Sequence, residues 1–217
     1  MTPNRSDLFS RFVGCLICFV LLCESNQFLF AQHRLHGVEN QRPEDNAYDK
    51  KWIDALTRKG LNPFSYHNKE EMTAEVLKRI GKDGCISELN LYGHGNPGFF
   101  SLGNGQSDEF VKSTYISNHN PDSIAEWKDA LQPVQGRFCV DAKLRLIGCN
   151  VGGNELGAEI VFAIADFFKV TVLAPVNKVY GGRNYKRPWQ QASPSLSKPP
   201  QAIRPKDYQP SASRNRN

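Results

Sequence analysis

Between residues 46 and 176 apolar positions recur at two spacings, one helical and one extended, and their alternation outlines the fold. Tyr48, Trp52, Ala55 and Leu56 share one helical face, behind a capping Asn46 and ahead of Gly60. Leu61 to Tyr66 is a brief apolar segment broken by Pro63, which limits it to a short or edge strand. Asn68 with Glu71 has capping-box spacing, and Met72, Val76 and Ile80 continue at helical intervals to a stop at Gly81. Ile86 to Tyr92 then reads as a strand. Strand, helix and strand form a βαβ unit, whose crossover imposes parallel pairing.

Beyond Tyr92 the pattern loosens. Turn signals at Asn96-Pro97-Gly98 and at Asn104-Gly105 predict a small excursion from the core, and the polar run from Ser107 to Asn120 predicts a loop. Ser123 and Glu126 repeat the capping-box spacing for a helix bearing Ile124, Trp127 and Leu131, which ends before Pro133. A hairpin is expected around Phe138 to Val140, ahead of a strand from Leu144 to Gly148. Leu156, Ile160, Ala163, Ile164, Phe167 and Phe168 give one wide apolar helical face, and Val170 to Ala174 is a further buried strand. The expected fold class is α/β: a small, mostly parallel sheet of three to four or more strands flanked by helices, spanning residues 46–180.

The flanks read differently. Arg5 and Arg11 precede an apolar run from Phe12 to Cys23, with a small residue later at Ala31, so residues 1–31 are expected to be a secretory signal peptide. A spanning helix needs roughly 20 apolar residues, and Glu24 interrupts this run, so no transmembrane span is expected in the mature chain. Residues 32–45 are polar without periodicity and read as a linker, and residues 181–217, rich in Pro, Ser, Lys and Arg, as a disordered basic tail. The location that follows is secreted or periplasmic.

Charge then narrows the partners. The 217-residue chain has a net charge of +5, but from Gly182 onward there are eight Lys or Arg residues and one acid, Asp207. The excess lies in the tail, and no basic patch with interleaved aromatics appears in the body, so no specific nucleic-acid partner is expected. Removal of a signal peptide leaves three cysteines, Cys85, Cys139 and Cys149. Adjacent parallel strands bring Cys85 and Cys139 together at the end opposite the site and leave Cys149 free. If the chain is not exported, three reduced thiols are the alternative.

Two strand ends carry the candidate chemistry: "LYGHGNPG" presents His94 and "LRLIGCNVGG" presents Cys149. On parallel strands of one sheet both fall at the carboxyl end, where such sheets hold ligands. Cys149 needs a base or a lowered pKa to act as a nucleophile; His94 supplies the first, and the amino end of the helix opening at Gly153 and Asn154 offers positive charge and free amides for the second. Gly93, Gly95, Gly148 and Gly152 are expected to let the backbone turn sharply, with the Gly95 and Cys149 amides aimed at an oxyanion. His33, His36, His67 and His119 fall in expected linker or loop, solvated, and no third ligand completes a zinc spacing, so neither metal nor cofactor is expected. Ile147 and Val151 flank Cys149 by two where a nucleophile elbow has glycines, so a serine α/β-hydrolase reading fails locally.

An apolar strand ending in His-Gly, followed about 55 residues later by one ending in a cysteine before a helix, resembles the caspase-like clan of cysteine peptidases. Within that clan of caspases, legumains, gingipains and toxin self-cleaving domains, "LYGHGNPGFFSLG" and "LRLIGCNVGGNELGAEIVFAIA" are most similar to a bacterial caspase-like domain of unassigned activity from large secreted surface proteins. The resemblance covers roughly residues 70 to 176. It implies a dyad with His94 as acid/base and Cys149 as nucleophile, an oxyanion hole including Gly95, and a peptide or protein substrate. Ile147-Gly148 stands where caspases have Gln-Ala, so no caspase specificity follows, and Asp108 and Glu109 read as surface charge rather than as a specificity pocket. A catalytically inactive binding module of the cell surface is the alternative.

Overall fold

The computed structural model describes residues 31–40, 46–103, 115–117, 121–179 and 188–205. The expected signal peptide, apart from Ala31, lies outside these residues, as do the Asn104-Gly105 turn, His119, Asp108 and Glu109. Described in order are β1 (Ala31–Glu39), α1 (Asn46–Arg58), β2 (Phe64–Tyr66), α2 (Lys69–Ile80), β3 (Gly84–Tyr92), β4 (Gly95–Asn96), β5 (Phe99–Ser101), β6 (Tyr115–Ser117), α3 (Pro121–Leu131), β7 (Phe138–Ile147), α4 (Asn154–Phe168), β8 (Thr171–Pro175) and β9 (Trp189–Ala192). Six strands form one sheet in the order β2-β1-β3-β7-β8-β9, while β4, β5 and β6 make a small separate sheet. Pairings within the first five strands of the large sheet are parallel and β9 is antiparallel to β8. The fold is therefore the mostly parallel α/β sheet that the apolar pattern implies.

Because β2 lies on one side of β1 and β3 on the other, the direction of winding reverses between β1 and β3. A crevice opens at such a reversal, outside the carboxyl ends of the two strands. Alternation along the strands separates two cores. Leu89, Leu91, Leu144 and Leu146 join Met72 and Val76 of α2, Trp127 of α3, and Ile160 and Ile164 of α4 in one cluster. Tyr92 and Ile147 join Trp52 and Leu56 of α1 in the other. Toward the amino ends of the strands the α1 face turns polar, and Glu88 there pairs with Arg34 at 3.3 Å and with Arg145.

Four local expectations are corrected. Residues 32–39, read as part of a polar linker, belong to β1, inside the sheet between β2 and β3; His36 and Glu39 are buried there beside Leu35 and Val38, at 7% and 0% exposure, and these buried polar residues hide the strand pattern. Phe138 to Val140 does not form a hairpin. It belongs to β7, which bulges where Ile86 to Glu88 of β3 pairs across Phe138 to Lys143, with Asp141 at φ 60°. The helix expected to start at Ser123 starts at Pro121, a residue suited to a first helical turn. Part of the expected tail is ordered: β9 pairs Trp189 to Ala192 with β8, and Ile203 bridges to Gly153.

Other details hold. The Asn68 side chain caps α2 by accepting from the Glu71 amide at 2.8 Å, although the Glu71 carboxylate takes the His67 amide and ring instead of closing a capping box. That pair holds the Glu71 carboxyl below its usual range, mainly through the His67 backbone hydrogen bond. Cys85 and Cys139 form a disulfide at the end of β3 and β7 opposite His94, and Cys149 is the free cysteine among the described residues.

Candidate active site

Strand β3 stays in register with β7 to the pair Tyr92 and Ile147, so His94 and Cys149 each stand two residues beyond a matched pair. One last ladder bond follows, from the Gly93 amide to the Ile147 carbonyl at 3.2 Å, and the two chains then diverge. After His94 the chain forms a tight hairpin, β4 to β5, reversing at Pro97-Gly98 with Gly98 at φ 73°. The Ser101 amide donates to the His94 carbonyl at 2.9 Å. That bond flanks a Gly95–Phe100 pair of the non-hydrogen-bonded kind, so the Gly95 amide is directed away from β5.

On the other side, Gly148, Cys149 and Asn150 leave β7, with Asn150 in the left-handed region at φ 57°. The Asn150 and Gly152 amides donate to the Asn177 and Pro175 carbonyls, fastening this loop to the end of β8. The Gly98 amide donates to the Val151 carbonyl at 3.2 Å, which fastens it to the histidine hairpin as well. Two loops pinned to each other and to three strand ends make a preorganised site rather than two independent turns.

The structure brings the two loops into direct contact. A Cβ placed on Gly148 lies 3.2 Å from the His94 carbonyl carbon and 3.0 Å from the Gly93 oxygen, and one on Gly95 lies 3.5 Å from the Cys149 oxygen and against Val151. None of Gly93, Gly95, Gly148 and Gly152 is at positive φ, so glycine is required there by close packing and not by the sharp turns expected.

The His94 residue is exposed and Cys149 half-buried. The Cys149 thiol donates to the Val179 carbonyl at 3.2 Å. Among the described residues the Cys149 amide donates to no backbone carbonyl.

The amino end of α4 departs from expectation. Its Asn154 amide donates to the Ile203 carbonyl at 2.9 Å, and its Leu156 amide to the Asn154 side chain at 2.9 Å. These amides are already occupied and do not serve Cys149. Among the described residues no group of three or more His, Cys, Asp or Glu side chains is arranged to hold a metal ion, and no helix is long and apolar enough to cross a membrane.

Sequence reasoning missed Glu39. From the end of β1 its carboxylate accepts from the His94 amide at 2.7 Å, the Gly103 amide at 3.0 Å and the Ser101 hydroxyl. Nearby, burial pushes the Tyr66 hydroxyl well above its usual range, and the Glu39 and Asp49 carboxylates add to the shift. The one sequence signal for Glu39 was its position, an acid at the end of "LHGV". His36 is likewise buried and not solvated, with Nδ1 3.2 Å from the Tyr92 hydroxyl.

The sequence model of a family described as a domain of unknown function (DUF4347) matches residues 48–195, well over half of the chain. No curated protein matches, and no solved structure does.

Proposed function

The chain belongs to the DUF4347 family, and since that description names no activity, we propose from the site itself that the protein is an exported cysteine endopeptidase with a His94/Cys149 dyad. The observation that carries the proposal is the contact between the two loops, each leaving a matched pair of adjacent parallel strands at its carboxyl end. A free cysteine beside a formed disulfide supports both the nucleophile and the oxidising compartment. The resemblance to the caspase-like clan, with its shared His-Gly and cysteine strand ends, points the same way.

In this reading the Cys149 thiol gives its proton to the His94 imidazole, and the thiolate attacks a peptide carbonyl carbon. The oxygen becomes an oxyanion between the Gly95 and Cys149 amides. Collapse breaks the carbon–nitrogen bond as His94 returns the proton to the leaving amine. Water, deprotonated by His94, then hydrolyses the thioester and restores the thiol.

One observation favours a second reading. The thiol hydrogen is committed to the Val179 carbonyl, as suits a catalytically inactive module that binds a partner at the cell surface.

A peptide carrying an electrophilic warhead separates the two. The dyad predicts modification of Cys149 that is lost in His94→Ala, together with selective cleavage of a peptide library that is lost in Cys149→Ala. Labelling indifferent to His94, with no cleavage, leaves the binding module.

A further inference from the structure

We propose that Glu39 is a positioning residue of this site: its buried carboxylate holds the His94 amide from the end of β1 and so fixes where the imidazole stands relative to Cys149. The inference rests on the dyad reading and adds to it a third element, one that lies outside the span matching the family.

A carboxylate with 0% exposure is costly unless donors surround it. Among the described residues the histidine hairpin meets that condition with three donors to Glu39: the His94 amide at its entry, and the Ser101 hydroxyl and Gly103 amide at its exit. One side chain thus clamps both ends of β4 and β5. Successive amides of a strand between two parallel neighbours point to alternate sides, and the Gly93 amide is on the β7 side, so the His94 amide faces β1. There the Glu39 carboxylate accepts it, by a charge-assisted bond roughly twice as strong as a neutral one.

Position within the fold agrees. β1 and β3 are the strands between which the winding reverses, so Glu39 and His94 flank the place where a crevice forms. The first glycine of Gly-His-Gly has the same cause, because a Cβ on Gly93 would lie 2.6 Å from Glu39 Oε2. Alanine there would drive the carboxylate off the His94 amide. Glu39 is fully buried with both oxygens engaged by the hairpin, so it acts through His94 and does not touch substrate.

The test uses the full chain and iodoacetamide as the thiol probe, with the pH dependence of Cys149 alkylation measured in wild type, His94→Ala and Glu39→Gln. Glutamine keeps the shape but turns an NH2 group toward donors. The His94-dependent rate near neutral pH should fall by about 10- to 100-fold, as expected for a displaced catalytic group, and the profile should approach that of His94→Ala. A wild-type profile in folded Glu39→Gln overturns this inference alone. A profile that His94→Ala leaves unchanged overturns the dyad and the inference together. If Glu39→Gln does not fold, the wild-type His94 amide proton decides by nuclear magnetic resonance: it should lie far downfield and exchange slowly although His94 is exposed, and an ordinary, fast-exchanging amide overturns the proposal.

Discussion

His36 is 7% exposed in β1, with Nδ1 at 3.2 Å from the Tyr92 hydroxyl and Nε2 buried without a hydrogen-bond partner among the described residues. Burial lowers its pKa, and Arg34, Arg145 and Lys59 add to this while Glu88 opposes it. The folded chain therefore binds this proton less readily than the unfolded chain does. The stabilisation is full above the unfolded value of about 6.5 and is lost as pH falls below it, at no more than about 1.4 kcal/mol per pH unit. Urea unfolding at pH 7.5 and pH 5 should show a larger acid loss in wild type than in His36→Gln. Equal losses would mean that the ring is protonated in the folded protein. Histidine is also why the strand was hard to read: a residue normally assigned to solvent is here a neutral core group, and its neighbour Glu39 is a satisfied buried charge.

Helix α4 shows how far a pattern of apolar positions can be trusted. Its existence, length and start near Gly153 were legible, because no other assignment suits so many apolar residues at helical spacing. Its buried stripe was legible in part. Ile160, Ile164 and Phe168 of the face read from the sequence are buried, but that face ran on through Leu156 and Ala163, whereas the buried residues also include Asn154, Gly157, Ala158, Val161 and Ala165. Small residues at 157, 158 and 165 carry little hydrophobic signal but let the helix approach the sheet, while Leu156 is 37% exposed. Ile164→Ala should cost about 2–5 kcal/mol, and Leu156→Ala within about 0.5 kcal/mol. Chemical denaturation of the two variants checks this, and comparable losses would contradict the observed face. In β1 and β9 the failure runs the other way: each gives the core few apolar side chains, Leu35 and Val38 from one and Ala192 from the other, among buried polar residues, and the Gln190 side chain bonds to Gln201 and Ile203. Such strands follow from neighbours distant in sequence, which no local pattern reports.

For the molecule as a whole, the parallel order and the two loops at one end were legible because apolar runs closing on glycine recur at 86–93 and 144–148. The same reasoning anticipated Cys85 with Cys139, now seen bridging the start of β3 to the start of β7. The two strands are therefore joined twice, covalently at one end and through the site loops at the other. With a sequence separation of 54 between the cysteines, the chain-entropy model gives about 4 kcal/mol of stabilisation from restricting the unfolded chain. Replacing both cysteines by serine should lower the unfolding free energy by up to that amount. It should leave Cys149 labelling largely intact in the protein that remains folded, because register at the site is held by Leu89 to Tyr92 against Leu144 to Ile147. The bulge in β7 lies between the bridge and those pairs, so slack introduced at the disulfide can be absorbed there before it reaches Cys149. Denaturation and labelling on the same samples check both halves. Loss of labelling in a folded Cys85→Ser/Cys139→Ser variant would mean that the bridge sets the site's register from the far end of the sheet.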